Sequence, residues 1–242
     1  MRCVVAVVAV CGVLIFTGVG HASTVTLYKQ KASDTFNGGG RQWVNNISNR
    51  PGITALAGGF RLTDGIEDII AWCLDVSHNL FLPGIYEITN TPFSDTTGTL
   101  SAAQIANIEN LFEVNYATLD LSNSTSGKNQ SAGFQLALWE LLYETSGTWA
   151  VTGGSWFANS TTSALNYAAA FLANLDGPIT QNYQLTFYES TQNGQNLVSV
   201  TPIPIPAALG MFLAAMASLI AWRRQKRELP KAAANSLPSA IN

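Results

Sequence analysis

Apolar and polar positions alternate in several short runs of the chain, which is the period of a half-buried β-strand. Turn-forming residues separate these runs, which cover residues 25–28, 53–62, 69–76, 84–89, 183–189 and 196–200. Elsewhere, apolar residues recur at helical spacing, and this predicts helices at residues 101–116, 131–144 and 163–175. The polar stretches 37–40 and 123–131 are predicted loops. The pattern as a whole predicts a single α+β domain that is rich in β-structure, sandwich-like or barrel-like, with about three helices.

The first 22 residues have the layout of a secretory signal peptide. Arg2 supplies a positive charge, residues 3–19 are almost uninterruptedly apolar, and the small residues Gly20 and Ala22 follow. Small residues three and one before the cut are typical of signal cleavage sites. We expect cleavage between Ala22 and Ser23, with export of the mature chain. A retained membrane helix is the alternative, and the well-formed cleavage site disfavours it.

The C-terminal part has three successive sections. Residues 199–206 contain prolines that cannot join a helix, residues 207–222 carry no charge, and residues 223–227 are mostly basic. A membrane-spanning helix needs about 20 apolar residues, and roughly 17 at the low end, which the uncharged stretch reaches with part of the proline segment. The basic cluster would stay on the cytoplasmic side and stop transfer. A buried core helix is the alternative, but a polar tail at residues 228–242 follows.

This order of motifs resembles the PEP-CTERM sorting signals of Gram-negative bacteria, in their Val-Pro-Leu-Pro-Ala variant. The resemblance implies that an exosortase-type enzyme recognises the tail and cuts near the prolines. It also implies location at the cell surface or outer envelope, after initial anchoring in the inner membrane by the C-terminal helix. The residues that carry it are the sorting motif Ile203, Pro204, Ile205, Pro206 and Ala207 and the basic stop Arg223, Arg224, Lys226 and Arg227.

Between the two ends lies the body of the protein, residues 23–198, which is long enough for one domain with a hydrophobic core. The terminal sections are the signal peptide (1–22), the sorting segment (199–227) and the polar tail (228–242). Residues 23–206 contain six basic and fourteen acidic side chains, so their net charge is −8. Binding to nucleic acid depends on cationic contacts with phosphate, so this charge argues against a nucleic-acid partner. We find no phosphate-binding glycine loop and expect no cofactor.

Cys73 is the single cysteine of the body, because Cys3 and Cys11 fall within the predicted signal peptide. It could be an inert core residue, part of an intermolecular disulfide, a catalytic thiolate or a partner in another covalent bond. Its strand places it among apolar neighbours, on the face opposite Trp72, which disfavours an exposed disulfide. A cysteine hydrolase needs a base, and His78 has no oxyanion-hole motif beside it. Structural zinc needs four Cys or His ligands, so no metal site is expected.

The helix predicted at residues 131–144 carries a glutamine on its inward face. We expect Glu140 and Glu144 to form the solvent stripe, and Gln135 then lies roughly 140° and 180° from them at about 100° per residue. A buried primary amide costs about 1–3 kcal/mol when it is left unpaired. It therefore needs either a backbone partner on a neighbouring strand or Cys73 itself. In the second case the thiol attacks the amide carbon, ammonia leaves and an internal thioester forms.

The residues around this pair resemble the motifs of bacterial thioester domains. Residues 72–75 are similar to their aromatic–Cys–aliphatic motif, and residues 134–139 to their apolar–Gln–x–x–apolar–Trp helix motif. The resemblance implies a thioester cross-link between Cys73 and Gln135. The expected supporting shell consists of Trp72, Phe134 and Trp139 as apolar cover, together with Asp75 and His78.

The resulting hypothesis is an exported, adhesin-like protein that attaches covalently to an amine-bearing surface or matrix polymer. A lysine side chain or an amino-sugar would attack the Gln135 carbonyl carbon and release the Cys73 thiolate. Because one molecule makes one linkage, this is chemistry without turnover, and we do not expect an enzyme. Two alternatives are a non-catalytic structural or extracellular-matrix protein held at the envelope and a carbohydrate-binding module. The second alternative would use Trp43, Trp149 and Trp156 to stack on sugars.

Overall fold

The computed structural model describes residues 23–30, 42–44, 55–89, 92–94, 98–144, 147–178, 180–203 and 215–223. Its strands are β1 (Ser23–Lys29), β2 (Gln42–Val44), β3 (Ala55–Ala57), β4 (Phe60–Thr63), β5 (Asp68–Cys73), β6 (Gly84–Thr89), β7 (Phe93–Ser94), β8 (Gly98–Thr99), β9 (Tyr183–Ser190) and β10 (Leu197–Pro202). The helices of the body are α1 (Ala102–Asn115), α2 (Thr125–Tyr143) and α3 (Thr162–Ala173), and a 3₁₀ turn, Tyr116–Thr118, follows α1.

Six strands close into a barrel in the order β1-β4-β5-β10-β9-β6, and each neighbouring pair is antiparallel. Closure gives every barrel strand a neighbour on both sides over part of its length, and the short strands β2, β3, β7 and β8 form two small separate ladders. The prediction of a β-rich, barrel-like α+β domain with about three helices is therefore confirmed. In the barrel order β5 and β6 are three strands apart in either direction, so they lie on opposite sides of it.

The helices pack on the outside of the barrel through aromatic rings. The Trp72 ring of β5 lies 5.5 Å from that of Phe112 on α1 and 5.1 Å from that of Phe134 on α2, measured between centroids. Gly133 allows α2 to approach α3 closely, because a Cβ at this position would lie 2.6 Å from Cβ of Tyr167. This packing makes α2 the central helix, and residues 131–144 are buried on every face.

The helix α2 begins earlier than the pattern predicted. Residues 123–131 were expected to form a loop, but the helix starts at Thr125 and includes most of them. The cause is a local cap: the Ser124 side chain accepts a hydrogen bond from the Gly127 N–H at 2.9 Å, which satisfies one of the donors left open at a helix start. The prediction of a loop here was wrong because the serine cap starts the helix within this polar sequence.

The predicted continuous strand at residues 53–62 is broken in two. Gly58 has a φ of +148°, a conformation that favours glycine, and it separates β3 from β4. The next residue, Gly59, donates its N–H to the Ser131 hydroxyl of α2 at 2.8 Å instead of continuing the ladder. As a result β4 begins at Phe60, opposite Ala71 of β5. The break leaves the edge of β5 beside Cys73 open to another partner.

The chain beyond β10 is described only in part. Ile203 donates its N–H to the Asn182 carbonyl at 2.7 Å and is 43% exposed. Residues 215–223 are helical, and no helix within the described ranges is both long enough and apolar enough to cross a membrane. The predicted signal peptide lies outside the described residues, as do most of the sorting motif (Pro204, Ile205, Pro206 and Ala207) and part of the basic stop (Arg224, Lys226 and Arg227).

Candidate functional site: a buried cysteine and glutamine in contact

The Gln135 carboxamide occupies the edge of β5 that β4 leaves open. The Cys73 N–H donates to Gln135 Oε1 at 2.9 Å, and Gln135 Nε2 donates to the Cys73 carbonyl at 2.8 Å. On the other edge, the Leu74 N–H donates to the Asn196 carbonyl beside β10 at 2.9 Å. The side-chain amide thus pairs with Cys73 as the peptide group of a neighbouring strand would. Gln135 is 0% exposed and Cys73 is 1% exposed, so this pairing is sealed from water.

The Cys73 side chain carries a thiol that faces the barrel interior. Successive side chains of a strand point to opposite faces, and the Trp72 ring points outward to the helices. Tyr86 of β6, on the opposite side of the barrel, is 1% exposed. Burial raises the pKa of the Tyr86 phenol well above its ordinary value, and negative charge at Cys73 and Asp75 adds to the increase. This phenol therefore keeps its proton and contributes a neutral hydroxyl to the interior.

Asp75 holds the turn that follows the cysteine strand. Its carboxylate is 0% exposed and accepts hydrogen bonds from the His78 N–H at 3.1 Å and the Asn196 N–H at 2.8 Å. His78 Nδ1 lies 3.4 Å from the same carboxylate, which makes an ion pair only when the imidazole is protonated. The expected supporting residues Asp75 and His78 therefore contact each other, and through this turn they fix the chain two residues after Cys73.

The three apolar residues of the expected shell are all buried. Trp72 and Phe134 are 0% exposed and Trp139 is 1% exposed. Phe134 also packs edge-to-face against Phe112 of α1, with 4.9 Å between ring centroids. These rings form a dry layer between the barrel wall and the helices on the Gln135 side of the pair. Such cover would protect a hydrolysable bond from water.

The geometry polarises the carboxamide for attack by a nucleophile. The Cys73 N–H lies 2.9 Å from Gln135 Oε1, within the 2.7–3.1 Å range of donors in oxyanion holes. If a sulfur or an amine adds to the Gln135 carbonyl carbon, negative charge develops on Oε1, and this N–H stabilises it. The sulfur belongs to the same residue as this donor, and formation of the C–S bond requires the Gln135 carboxamide and the Cys73 side chain to turn toward each other.

The predicted solvent stripe of α2 is wrong. Glu140 is 0% exposed and Glu144 is 8% exposed. Residues 147–160 fold back over this part of the helix, and their backbone and hydroxyl donors reach one oxygen of Glu140 and both oxygens of Glu144. Gln135 is buried as expected, but the reason is that α2 lies at the centre of the domain. The helical spacing between Gln135 and the two glutamates did not reveal the central position of α2, because carboxylates usually mark a solvated face.

Three residues that the sequence did not single out complete the site. Tyr143 donates its hydroxyl to the Leu74 carbonyl at 3.2 Å, Ser131 anchors Gly59, and Tyr86 reaches the interior from β6. None of them stands in a recognisable motif. Tyr86 occupies an ordinary alternating strand, and only closure of the barrel brings it to face β5.

The tryptophans proposed as a sugar platform are not presented together. Trp156 is 0% exposed and stacks on Tyr143, with 6.5 Å between ring centroids. Trp149 is half-buried against the core, and the Trp43 side chain lies outside the described residues. Trp156 therefore cannot stack on a carbohydrate without leaving the interior.

Together these features define a class of domain: a closed six-stranded barrel with a helical layer and a buried cysteine and glutamine in direct contact. The sequence matches no protein-family model and no curated protein. Among solved structures, the chain is similar to the N-terminal thioester domain of the fibronectin-binding protein SfbI from Streptococcus pyogenes. The identity is 15% and the TM-score is 0.41, over 73% of this chain and 98% of that domain.

Two further structures show similarity of the same order. The N-terminal domain of the Streptococcus pyogenes pilus tip adhesin Cpa gives 14% identity and a TM-score of 0.37, over 74% of this chain and 100% of that one. An N-terminal thioester domain of a Clostridium perfringens surface protein gives 10% identity and a TM-score of 0.39, over 75% and 100%. Similarity at this level does not bear on the chemistry of Cys73 and Gln135, for which the local contacts are the relevant observation.

Proposed function

We propose that Cys73 and Gln135 form an internal thioester through which the exported domain attaches covalently to an amine-bearing surface or matrix polymer. The observation that carries this proposal is the contact between the Gln135 carboxamide and the Cys73 backbone in an interior with 0% and 1% exposure of the two residues. A buried carboxamide beside a buried thiol is the reactant pair that such a bond requires.

Formation of the bond balances without any added reagent. The Cys73 sulfur attacks the Gln135 carbonyl carbon, a C–S bond forms, and the C–N bond breaks. The amide nitrogen leaves as ammonia, and the proton that it gains comes from the thiol. Before the reaction, the Cys73 N–H donates to Gln135 Oε1. The Nε2 hydrogen bond to the Cys73 carbonyl is lost with the ammonia.

Attachment reverses the roles of the two bonds. An external primary amine adds to the same carbonyl carbon, the C–S bond breaks, and an amide bond to the polymer remains. A proton from the amine returns the sulfur to its thiol form. The neutral hydroxyl of Tyr86 lies on the interior side, where it can stabilise negative charge on the departing sulfur. Each molecule makes one linkage, so the domain is consumed by its own reaction.

Treatment with methylamine tests this function on the exported protein. We expect the Gln135 side chain to gain one methylamine and one titratable thiol to be released for each molecule modified. Cys73→Ser removes the thiol that the reaction releases. Gln130→Ala is the matched control, because Gln130 lies on the same helix but accepts a hydrogen bond from the Asp120 N–H, away from the cysteine. If freshly isolated wild-type protein carries no methylamine at Gln135 after the treatment, the proposal is contradicted.

A structural role is the second candidate, and one observation favours it. The Gln135 carboxamide satisfies both the N–H and the C=O of Cys73. Closing the edge of β5 in this way is a sufficient structural reason for a glutamine at this position. Under this reading the protein is a non-catalytic envelope or matrix component with an inert buried thiol. Methylamine then leaves Gln135 unmodified, and replacement of Gln135 affects stability alone.

We also propose export and envelope sorting of the chain, on the strength of its two terminal patterns. A cleaved signal at residues 1–22 leaves Ser23 as the first residue, and Ser23 begins β1, so the folded domain would start at the cut. An exosortase-type enzyme would act at the proline motif after membrane insertion of the C-terminal helix. Protein recovered from outside the cell should begin at Ser23, and deletion of residues 203–242 should release it from the envelope. Retention of residues 1–22 would contradict the signal-peptide proposal.

A further inference from the structure

Two buried carboxylates of α2 hold a loop across the end of the helix. We call residues 147–160 the strap. The Ala150 N–H donates to Glu140 Oε1 at 2.6 Å, and the Trp156 N–H donates to Glu144 Oε2 at 3.0 Å. The Ser155 hydroxyl donates to the other oxygen of Glu144. A Cβ at Gly154 would lie 2.2 Å from Glu144 Oε2, so the strap follows the carboxylate closely.

Glu140 is the weaker of the two attachments because part of its carboxylate is buried without a partner. The residue is 0% exposed, and Oε2 has no hydrogen-bond partner among the described residues. Burial raises the pKa of this carboxyl to about 7, the Ala150 N–H opposes the increase, and the neighbouring Glu144 charge adds to it. Ionisation of Glu140 places a second negative charge in this buried position, and the described residues bring no lysine or arginine beside it to balance the charge.

Among the described residues, the elements that pack around α2 bring no lysine or arginine close to Glu140. Lys128 lies on α2 itself but about 18 Å along the helix, β5 carries Asp68, and the turn after β5 carries Asp75 and His78, which contact each other. The strap, α3, β2 and β3 contain no acidic or basic residue. The charged residues of α1 are Glu109, which is exposed, and Glu113, which accepts hydrogen bonds from Thr180 and Asn182. Glu144 is therefore the charged group that acts directly on Glu140, and it acts by repulsion.

The strap is connected to the cysteine strand through one side chain. Trp156 stacks on Tyr143, and the Tyr143 hydroxyl donates to the carbonyl of Leu74, the residue after Cys73. An amine in solution cannot reach Cys73 or Gln135 while both are sealed in the interior. Reaction with a polymer therefore requires some part of the cover to move.

We propose that the strap is a movable cover of the site, closed while Glu140 is protonated and loosened when Glu140 ionises beside Glu144. The purpose assigned to this movement, admission of an amine to the Cys73–Gln135 bond, rests on the proposed function. The movement itself does not, because it depends only on contacts between α2 and the strap.

The direction of the pH dependence follows from the raised pKa. With the strap open, the Glu140 carboxyl has its ordinary pKa of 4.5, and with the strap closed it has a pKa of about 7. The closed state is therefore fully stabilised below pH 4.5 and loses stability as the pH rises toward 7. The opening equilibrium should increase by about tenfold per pH unit over this window and level off above it.

Hydrogen exchange at the Ala150 and Trp156 amides, expressed as protection factors, measures the movement in the full exported protein. Between pH 5 and pH 7.5 we expect protection to fall in the wild type and to stay constant in Glu140→Gln, whose neutral amide imitates the protonated acid. The ratio of the two should grow from about fourfold to roughly 200-fold. Glu109→Gln, which removes an exposed carboxylate from α1, should behave as the wild type. Equal pH profiles for wild type and Glu140→Gln overturn the proposal.

Access to the site is measured on the same variants by the rate of methylamine incorporation at Gln135. The ratio of wild type to Glu140→Gln should rise with pH in parallel with strap opening. If no thioester forms, Cys73 remains a thiol, and alkylation by iodoacetamide reports the same access. A ratio that stays flat while the strap opens overturns the covering role. Failure of the thioester proposal is seen separately, because methylamine then modifies no variant at any pH.

Discussion

Gln135→Ala is expected to abolish covalent attachment and to lower the free energy of unfolding by about 2–5 kcal/mol. Relative to the wild-type chain before the thioester forms, the variant leaves the Cys73 N–H and C=O buried without the partners that lie at 2.9 Å and 2.8 Å. Each such unsatisfied group costs about 1–3 kcal/mol, and a small cavity adds to the loss. Attachment is lost outright, because the carbonyl carbon that accepts the amine is removed.

Urea denaturation and methylamine incorporation measure the two effects separately. Gln130→Ala should lose less than about 1 kcal/mol, because Gln130 is only partly buried and lies outside the pair. Gln135→Glu tests the chemistry further: it keeps an acceptor for the Cys73 N–H but has no amide nitrogen to lose as ammonia. If Gln135→Ala were as stable as the wild type, the pairing of this side chain with β5 would be refuted.

Trp72→Ala is expected to destabilise the domain by about 3–5 kcal/mol, the usual loss for a fully buried aromatic residue. The Trp72 ring lies between the barrel and both helices, with centroid distances of 5.5 Å to Phe112, 5.8 Å to Tyr116 and 5.1 Å to Phe134. Its removal leaves a cavity that three rings from different elements would line. The residue also precedes Cys73, so the cavity opens beside the candidate bond.

Thermal or urea unfolding of Trp72→Ala provides the measurement, and Trp72→Phe should recover part of the lost stability. Phe81→Ala is the matched control, because Phe81 is an aromatic residue that is 56% exposed and should change stability by less than about 1 kcal/mol. Equal losses in Trp72→Ala and Phe81→Ala would contradict the role of the aromatic layer.

The alternating pattern predicted the six strands of the barrel and the type of fold, but not the break at Gly58 or the short strands β2, β7 and β8. Residues 69–76 illustrate why: the alternation around Trp72 and Cys73 identifies two faces, and the barrel buries both. The contact between Cys73 and Gln135 was anticipated from two short motifs and from the need to satisfy a buried amide. A backbone partner for Gln135 on a neighbouring strand was one of the two alternatives, but the pattern could not identify it as the peptide groups of Cys73. That pairing depends on the break at Gly58, after which β4 begins only at Phe60.

Other features of the site depend on long-range packing that local sequence does not encode. Tyr86 and Cys73 come from strands on opposite sides of the barrel, and no spacing in the chain relates them. Glu140 and Glu144 resemble a solvated stripe until the strap covers them, and the strap is a glycine-containing sequence of mixed polar and aromatic residues that lies outside the helices and strands. A buried carboxylate can be predicted only when its donors are known, and here the donors are backbone amides that any sequence would supply.

The intact mass of the freshly isolated, naturally exported protein tests the central claim most directly. Fragment ions identify the two termini of the isolated chain. The wild-type chain should then be lighter than its sequence by one ammonia, and the fragments should place the loss at a link between Cys73 and Gln135. Cys73→Ala should show the full mass of its own sequence. A wild-type protein that retains the ammonia in every molecule would contradict the thioester and leave Gln135 as a structural partner of the cysteine strand.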